Sequence, residues 1–190
     1  MRTLRMLAVG VLMIVASVGV AQAGSNPPHR GGFFIGFNLG AGTADISSDE
    51  FGDGDRAWGG AGNFRLGGAI KPDLLIGFES TAWVKDEDGS TISLSTAMFG
   101  VTYYPGNAGL FLRGGVGLGS SSLEIELPNG YTQSKDENGI GLAAAVGYEW
   151  RLTKKFAMGP QVDFTYLNIG DDIVDTANFF DITLGFNWYW

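Results

Sequence analysis

Taken two residues at a time, the final stretch of the chain separates into an oily side and a polar side. Phe180, Ile182, Leu184, Phe186, Trp188 and Trp190 fall on one side of an extended strand, and Asp181, Thr183, Gly185 and Asn187 on the other, because side chains along a strand alternate with a period of two. The same alternation recurs upstream. Phe33, Ile35, Phe37, Leu39 and Ala41 oppose Gly36, Asn38 and Gly40; Phe64, Leu66 and Ile70 oppose Asn63, Arg65, Gly67 and Ala69; Ile76, Phe78, Ala82 and Val84 oppose Gly77, Glu79 and Thr81. Further on, Leu110, Leu112, Val116 and Leu118 oppose Arg113, Gly115 and Gly117, and Val162, Phe164 and Tyr166 oppose Gln161, Asp163 and Thr165. The cleanest run sets Ile140, Leu142, Ala144, Val146, Tyr148, Trp150 and Leu152 against Gly141, Ala143, Ala145, Gly147, Glu149 and Arg151. One segment breaks the rule. From about Thr91 to Tyr104, Ile92 and Leu94 fall on one parity and Phe99, Val101 and Tyr103 on the other, a mismatch that a bulge midway would reconcile.

About eight such segments follow one another, each near the ten or so residues that a tilted membrane strand needs. The pattern predicts an all-β fold over residues 31–190: an eight-stranded antiparallel up-and-down transmembrane β-barrel whose last strand closes against the first. A closed barrel has no edge to hide, and it is the only spanning sheet that lipid admits. The soluble alternative is a ligand-binding barrel of the lipocalin kind, with the oily side turned inward. Against it, the polar side holds small residues and charges of both signs at mid-strand, whereas the other side is almost wholly bulky and apolar.

The links alternate in length. Residues 48 to 58, 85 to 90, 120 to 138 and 169 to 178 form the odd links, and Lys71-Pro72-Asp73, Pro105 to Gly109 and Thr153-Lys154-Lys155 the even ones. Outer-membrane barrels carry long loops outside and short turns on the periplasmic side, so both termini are expected in the periplasm. The odd links also gather acid: Asp49, Glu50, Asp53, Asp55, Asp86, Glu87, Asp88, Glu124, Glu126, Asp136, Glu137, Asp171, Asp172 and Asp175.

Ahead of the strands, Met1 to Met6 is a short basic start, Leu7 to Val20 an apolar run and Ala21-Gln22-Ala23 a small-x-small site. This is the layout of a secretory signal peptide, residues 1–23; the run is short for a membrane anchor. Residues 24–30 then form a periplasmic lead-in. The formal charge of -8 becomes -10 without Arg2 and Arg5, the wrong sign for a nucleic-acid binder. There is no cysteine among the 190 residues, hence no disulfide framework, thiol nucleophile or lipoprotein anchor. A mean hydropathy of +0.10 is too low for a helical membrane protein and suits a barrel in which every second residue is polar.

Arg65 to Glu79, a strand, a Pro-containing turn and a strand ending in Gly-x-Glu, together with Gly139 to Thr165 and the aromatic last strand, resembles the small OmpA-like and OmpX-like outer-membrane barrels. The resemblance implies an integral outer-membrane protein of a Gram-negative envelope, inserted by the barrel-assembly machinery, which would read the strand holding Phe180, Ile182, Leu184, Phe186, Trp188 and Trp190. Trp190 stands where Phe is usual. No peptidoglycan-binding domain is expected after the barrel.

With the oily faces in lipid, Arg65, Glu79, Arg113, Glu149, Arg151, Asp163 and Asp181 point into the lumen. Their nearly balanced signs predict mutual pairing, with Arg65 and Glu79 opposite each other in one hairpin. An eight-stranded bore is only just filled by its side chains, so the reading is a polar plug; a gated conduit is the other. Tyr103, Tyr104, Tyr148 and Trp150 cluster at strand ends, where amphipathic rings form a girdle at headgroup level. No catalytic set is expected. The acyl-modifying enzymes known on this scaffold use a histidine with a serine and an acid, and here the only histidine is His29, in the lead-in, while Ser120-Ser121-Ser122 and Ser90 to Ser95 lack a base. No cofactor or metal site is expected either. Asp53-Gly54-Asp55 and Asp86-Glu87-Asp88-Gly89 lack the spacing of a full calcium loop, which leaves loose sharing of divalent cations with lipopolysaccharide phosphates. The sequence thus points to a monomer in contact with outer-membrane lipid and lipopolysaccharide. Its role would be structural or surface-interactive, through envelope integrity, adhesion or resistance. The alternatives are a narrow OmpW-like channel for ions or small hydrophobic solutes and, behind it, a lipid A acyl-modifying enzyme.

Overall fold

A computed structural model describes residues 30–48, 52–53, 56–87, 90–126, 132–169 and 176–190. The expected leader, His29, and the acids Asp49, Glu50, Asp55, Asp88, Asp171, Asp172 and Asp175 lie outside the described residues, as do the side chains of Asp53 and Glu126.

Eight long strands follow in order: β1 (Phe33–Ser48), β2 (Ala57–Lys71), β3 (Leu74–Glu87), β4 (Ser90–Tyr103), β5 (Leu110–Glu126), β6 (Thr132–Tyr148), β7 (Phe156–Asn168) and β8 (Thr176–Tyr189). Each pairs antiparallel with its neighbours in sequence. The sheet closes where β8 meets β1, in register from Phe34 opposite Tyr189 to Ser47 opposite Thr176. Two-residue segments, Gly52–Asp53 on β1 and Trp150–Arg151 on β7, extend the pairing locally. No helix among the described residues is long and apolar enough to cross a membrane.

Alternation decides the facing. Phe99 is 76% exposed, Leu118 69% and Leu39 67%, while Asn38, Arg65, Glu79, Arg113 and Asp163 are buried. A water-soluble protein would be inside out with such an arrangement; in a bilayer the outer face meets acyl chains and every backbone polar group is satisfied within the closed ladder. The lipocalin-type facing is therefore excluded.

β4 carries no bulge. It pairs without interruption with β3 and β5, and its parity is uniform: Leu94, Thr96, Met98 and Thr102 are buried inward, Phe99, Val101 and Tyr103 exposed outward. The mismatch in sequence arises because the inner face of this strand is itself apolar at one end. The register shift observed lies instead between Ala69 and Lys71, where β2 meets β3.

The odd links are also shorter than their sequence suggests. Most of residues 120 to 138 is strand, with Ser120 opposite Asn138 and Glu126 opposite Thr132, and Glu87 pairs with Ser90 across the 88–89 link. These ladders run beyond the apolar belt, where neither face needs to be oily, so the period-two signal fades while the hydrogen bonding continues. At the opposite end the links are tight. One is a single 3-10 turn, Pro105–Asn107, and Arg30 and Trp190 lie at this end too. Gly32, at φ +72, passes so close to the Trp190 carbonyl oxygen that a methyl group there would collide with it, a position that only glycine fills without strain.

Candidate functional site

The candidate site is the lumen, and its contents are arranged in levels. At the short-turn end, Glu149, just past β6, accepts hydrogen bonds from Arg30 Nε at 2.9 Å and Tyr189 Oη at 2.8 Å, with Tyr104 Oη and Asn187 Nδ2 each at 3.4 Å. Arg30 also donates to Asn107 Oδ1 and the Ala108 carbonyl, and its guanidinium lies 3.4 Å from the Tyr104 ring centre. Arg151 stacks over the Tyr189 ring at 4.1 Å and stands 4.0 Å from Glu149. Arg65 donates to Asn187 Oδ1 at 2.7 Å. Around these groups pack Phe34, Leu75, Phe111 and Ala157.

The next level is a belt around most of the wall. Arg113 Nε meets Glu79 Oε2 at 3.0 Å while its Nη2 bonds Asp163 Oδ1. Asn63 Nδ2 donates to Glu79 Oε1 at 2.6 Å, and Asn63 Oδ1 accepts from Asn38 Nδ2 at 3.0 Å. Gln161 Nε2 donates to both oxygens of Asp163, and Thr183 Oγ1 reaches Asp163 Oδ2 at 3.3 Å. Asn38, Asn63, Glu79, Arg113, Asp163 and Thr183 come from β1, β2, β3, β5, β7 and β8, so the belt ties six strands through their side chains. Asp181 is buried at the level of Asp163, directly opposite it in the β7–β8 register.

Above the belt the bore turns apolar. Trp83, Leu94, Leu167, Ile169 and Phe179 are buried against one another, with Trp83 Nε1 donating to the Gly42 carbonyl at 3.2 Å. At the rim, Arg56 donates to Asn178 Oδ1 at 2.8 Å and to Thr43 Oγ1, spanning the seam between β8 and β1. Glu137 meets Lys135 at 2.9 Å. Lys85, hydrogen-bonded to the exposed Glu87, holds that carboxyl below its ordinary range.

Of the seven residues read as lumen charges, Arg65, Glu79, Arg113, Glu149, Asp163 and Asp181 are buried and Arg151 is half-buried, but two details change. Arg65 and Glu79 do sit opposite each other, yet Glu79 pairs with Arg113, reaching past Gly100 of the intervening strand. Tyr104 is not in the girdle: only 1% exposed, it is turned inward, where its hydroxyl finds Glu149 and Tyr189. Tyr103 is exposed on the outer face, and Tyr148 packs against Trp150 with ring centres 5.6 Å apart. Sequence reasoning missed Arg30, which joins Arg65, Arg113 and Arg151 against the carboxylates Glu79, Glu149, Asp163 and Asp181, and the burial of Glu137 towards the rim beside Lys135. It also missed the inward aromatics Phe34, Trp83, Phe111, Phe179 and Tyr189. Parity was the available signal, since each sits on the polar phase of its strand. Among the described residues, no three His, Asp or Glu side chains gather as a metal site would require.

The sequence matches the profile of the outer membrane protein beta-barrel domain over residues 8–189. In structure the chain is similar to Neisserial surface protein A, with a TM-score of 0.61 at 18% identity over 83% of this chain and 97% of that one. It is equally similar to Ail, the attachment invasion locus protein of Yersinia pestis, with a TM-score of 0.61 at 12% identity over 83% and 99% of the two chains. No curated protein matches the sequence.

Proposed function

We propose, from the premise that the chain belongs to the outer membrane protein β-barrel domain family, that this integral outer-membrane protein is a sealed, non-catalytic barrel that strengthens the envelope and offers its outer rim to other surfaces. The observation that carries this reading is the filled bore: an aromatic and guanidinium level, a hydrogen-bonded belt and an apolar level lie in series. A charge passing along the axis would have to displace paired groups and then shed water at the apolar level. Planar-bilayer recording of the purified protein is expected to show no steady conductance; a stable open level would overturn the reading in favour of a narrow channel. An acyl-modifying activity would appear as a change in lipid A mass on overexpression, and none is expected.

Outward, the rim is the working surface. Asp86, Glu87, Glu124 and Asp136 are exposed there, so the rim suits sharing of divalent cations with lipopolysaccharide phosphates. Loop protease sensitivity that ignored a chelator would count against that role. Ail has been crystallised with the heparin analogue sucrose octasulfate; for this chain the acid-rich rim favours cationic or cation-bridged partners. The outward aromatics Tyr103, Tyr148 and Trp150 serve as headgroup anchors. The β8 face of Phe180, Ile182, Leu184, Phe186 and Trp188, with Trp190 beyond it, is what the assembly machinery would read. Residues 1–23 would be removed on export, which the intact mass of the purified protein tests directly.

A further inference from the structure

We infer that the belt level of the lumen binds a small hard cation at Asp181, facing Asp163. Asp181 is 1% exposed, and neither carboxylate oxygen has a hydrogen-bond partner among the described residues. Its neighbours offer it no charge. Opposite it, Asp163 is engaged with Arg113, Gln161 and Thr183, and the other acid of the level, Glu79, takes the remaining arm of Arg113 and the Asn63 amide. One guanidinium therefore serves two carboxylates and leaves a third without compensation.

Among the described residues no Lys or Arg pairs with Asp181. Arg30 and Arg151 are gathered at Glu149, and Arg65 at Asn187. Every other Lys or Arg after residue 30 lies at a rim or a turn, and the undescribed segments between strands contain neither Lys nor Arg. An ionised carboxylate buried without a partner is strongly unfavourable; it is relieved by a proton or by a cation drawn from solution, and the cation is what we infer. Carboxylate oxygens select hard cations, of which sodium and calcium are the two to compare. Among the described residues no third acid completes a cage, so the remaining coordination is water and the ion is exchangeable. Glycine at position 42 leaves the required room, because a methyl group there would overlap Asp181 Oδ1.

The experiment is refolding of the full barrel into micelles in sodium, calcium or choline chloride at matched ionic strength and pH, followed by urea unfolding. The wild-type midpoint is expected to shift upward in sodium or calcium relative to choline, the larger shift naming the ion. Asp181→Asn, which keeps the shape and removes the charge, is expected to reduce that shift to whatever the acidic rim contributes, a part common to both proteins. The carboxyl-carbon resonance that disappears in this variant should move between choline and the effective cation. A wild-type midpoint indifferent to the cation, an equal shift in Asp181→Asn, or a dependence on pH alone, which would put a proton there instead, overturns the inference. None of these outcomes bears on whether the bore conducts.

Discussion

Arg113 is the residue on which the interior depends most. It is buried between β3 and β7 and divides its guanidinium between Glu79 and Asp163. Removing one partner of a buried ionic set leaves the others uncompensated, so Arg113→Ala should lower stability by about 3–5 kcal/mol, read from urea unfolding in lipid vesicles. On the outer face the sign of polarity reverses. Phe99 meets lipid, and Phe99→Lys is expected to destabilise by roughly 2–4 kcal/mol if the position lies at the bilayer midplane, with a smaller loss in detergent. At this scale the sequence was legible wherever parity decides: Arg65, Glu79, Arg113, Asp163 and Asp181, turned inward by counting in twos, are buried. Partner choice was not legible. That Glu79 goes to Arg113 rather than to Arg65 depends on the curvature of the wall and on Gly100 leaving space between them. Arg30 was hidden because it precedes the first strand and so has no parity to read.

At the scale of elements, β4 shows why an alternation rule needs a second clause. A membrane strand keeps one face oily throughout, but its inner face is free to be polar or apolar, level by level. Leu94 and Met98 share the inward parity of Thr96 and Thr102, so an apolar inner residue looks like a phase error in the sequence. Leu94→Ala should then behave as a core truncation, losing about 2–5 kcal/mol in the same unfolding assay, whereas a residue on a re-aimed, lipid-facing phase would lose less. The β5–β6 hairpin gives the complementary case. Its outer part is polar apart from Leu123 and Ile125 and reads as a loop, yet the rungs from Ser120 opposite Asn138 outward are formed, since cross-strand hydrogen bonding asks nothing of the side chains.

For the whole molecule, the levels of the bore act in series, and that makes closure redundant. Trp83→Ala combined with Phe179→Ala empties the apolar level, and single truncations of such aromatics cost about 3–5 kcal/mol. The double variant should be markedly less stable yet still pass no steady current, because the belt around Arg113 remains beneath it. Bilayer recording alongside unfolding separates the two properties. The closed ring was legible from strand number and alternation; the series of seals was not, because it depends on which side chains share a height, and height is set by the stagger between strands.

The seam that joins Phe34 to Tyr189 bears on how such a chain comes into being. Its first strand has no lasting neighbour on one side until the last one has been delivered, so the costliest loop closure falls at the end of the process rather than the beginning. A half-made wall would expose two unsatisfied margins to the membrane interior. A waiting, unpaired state is therefore built into the topology, and the wait ends only when the last strand arrives.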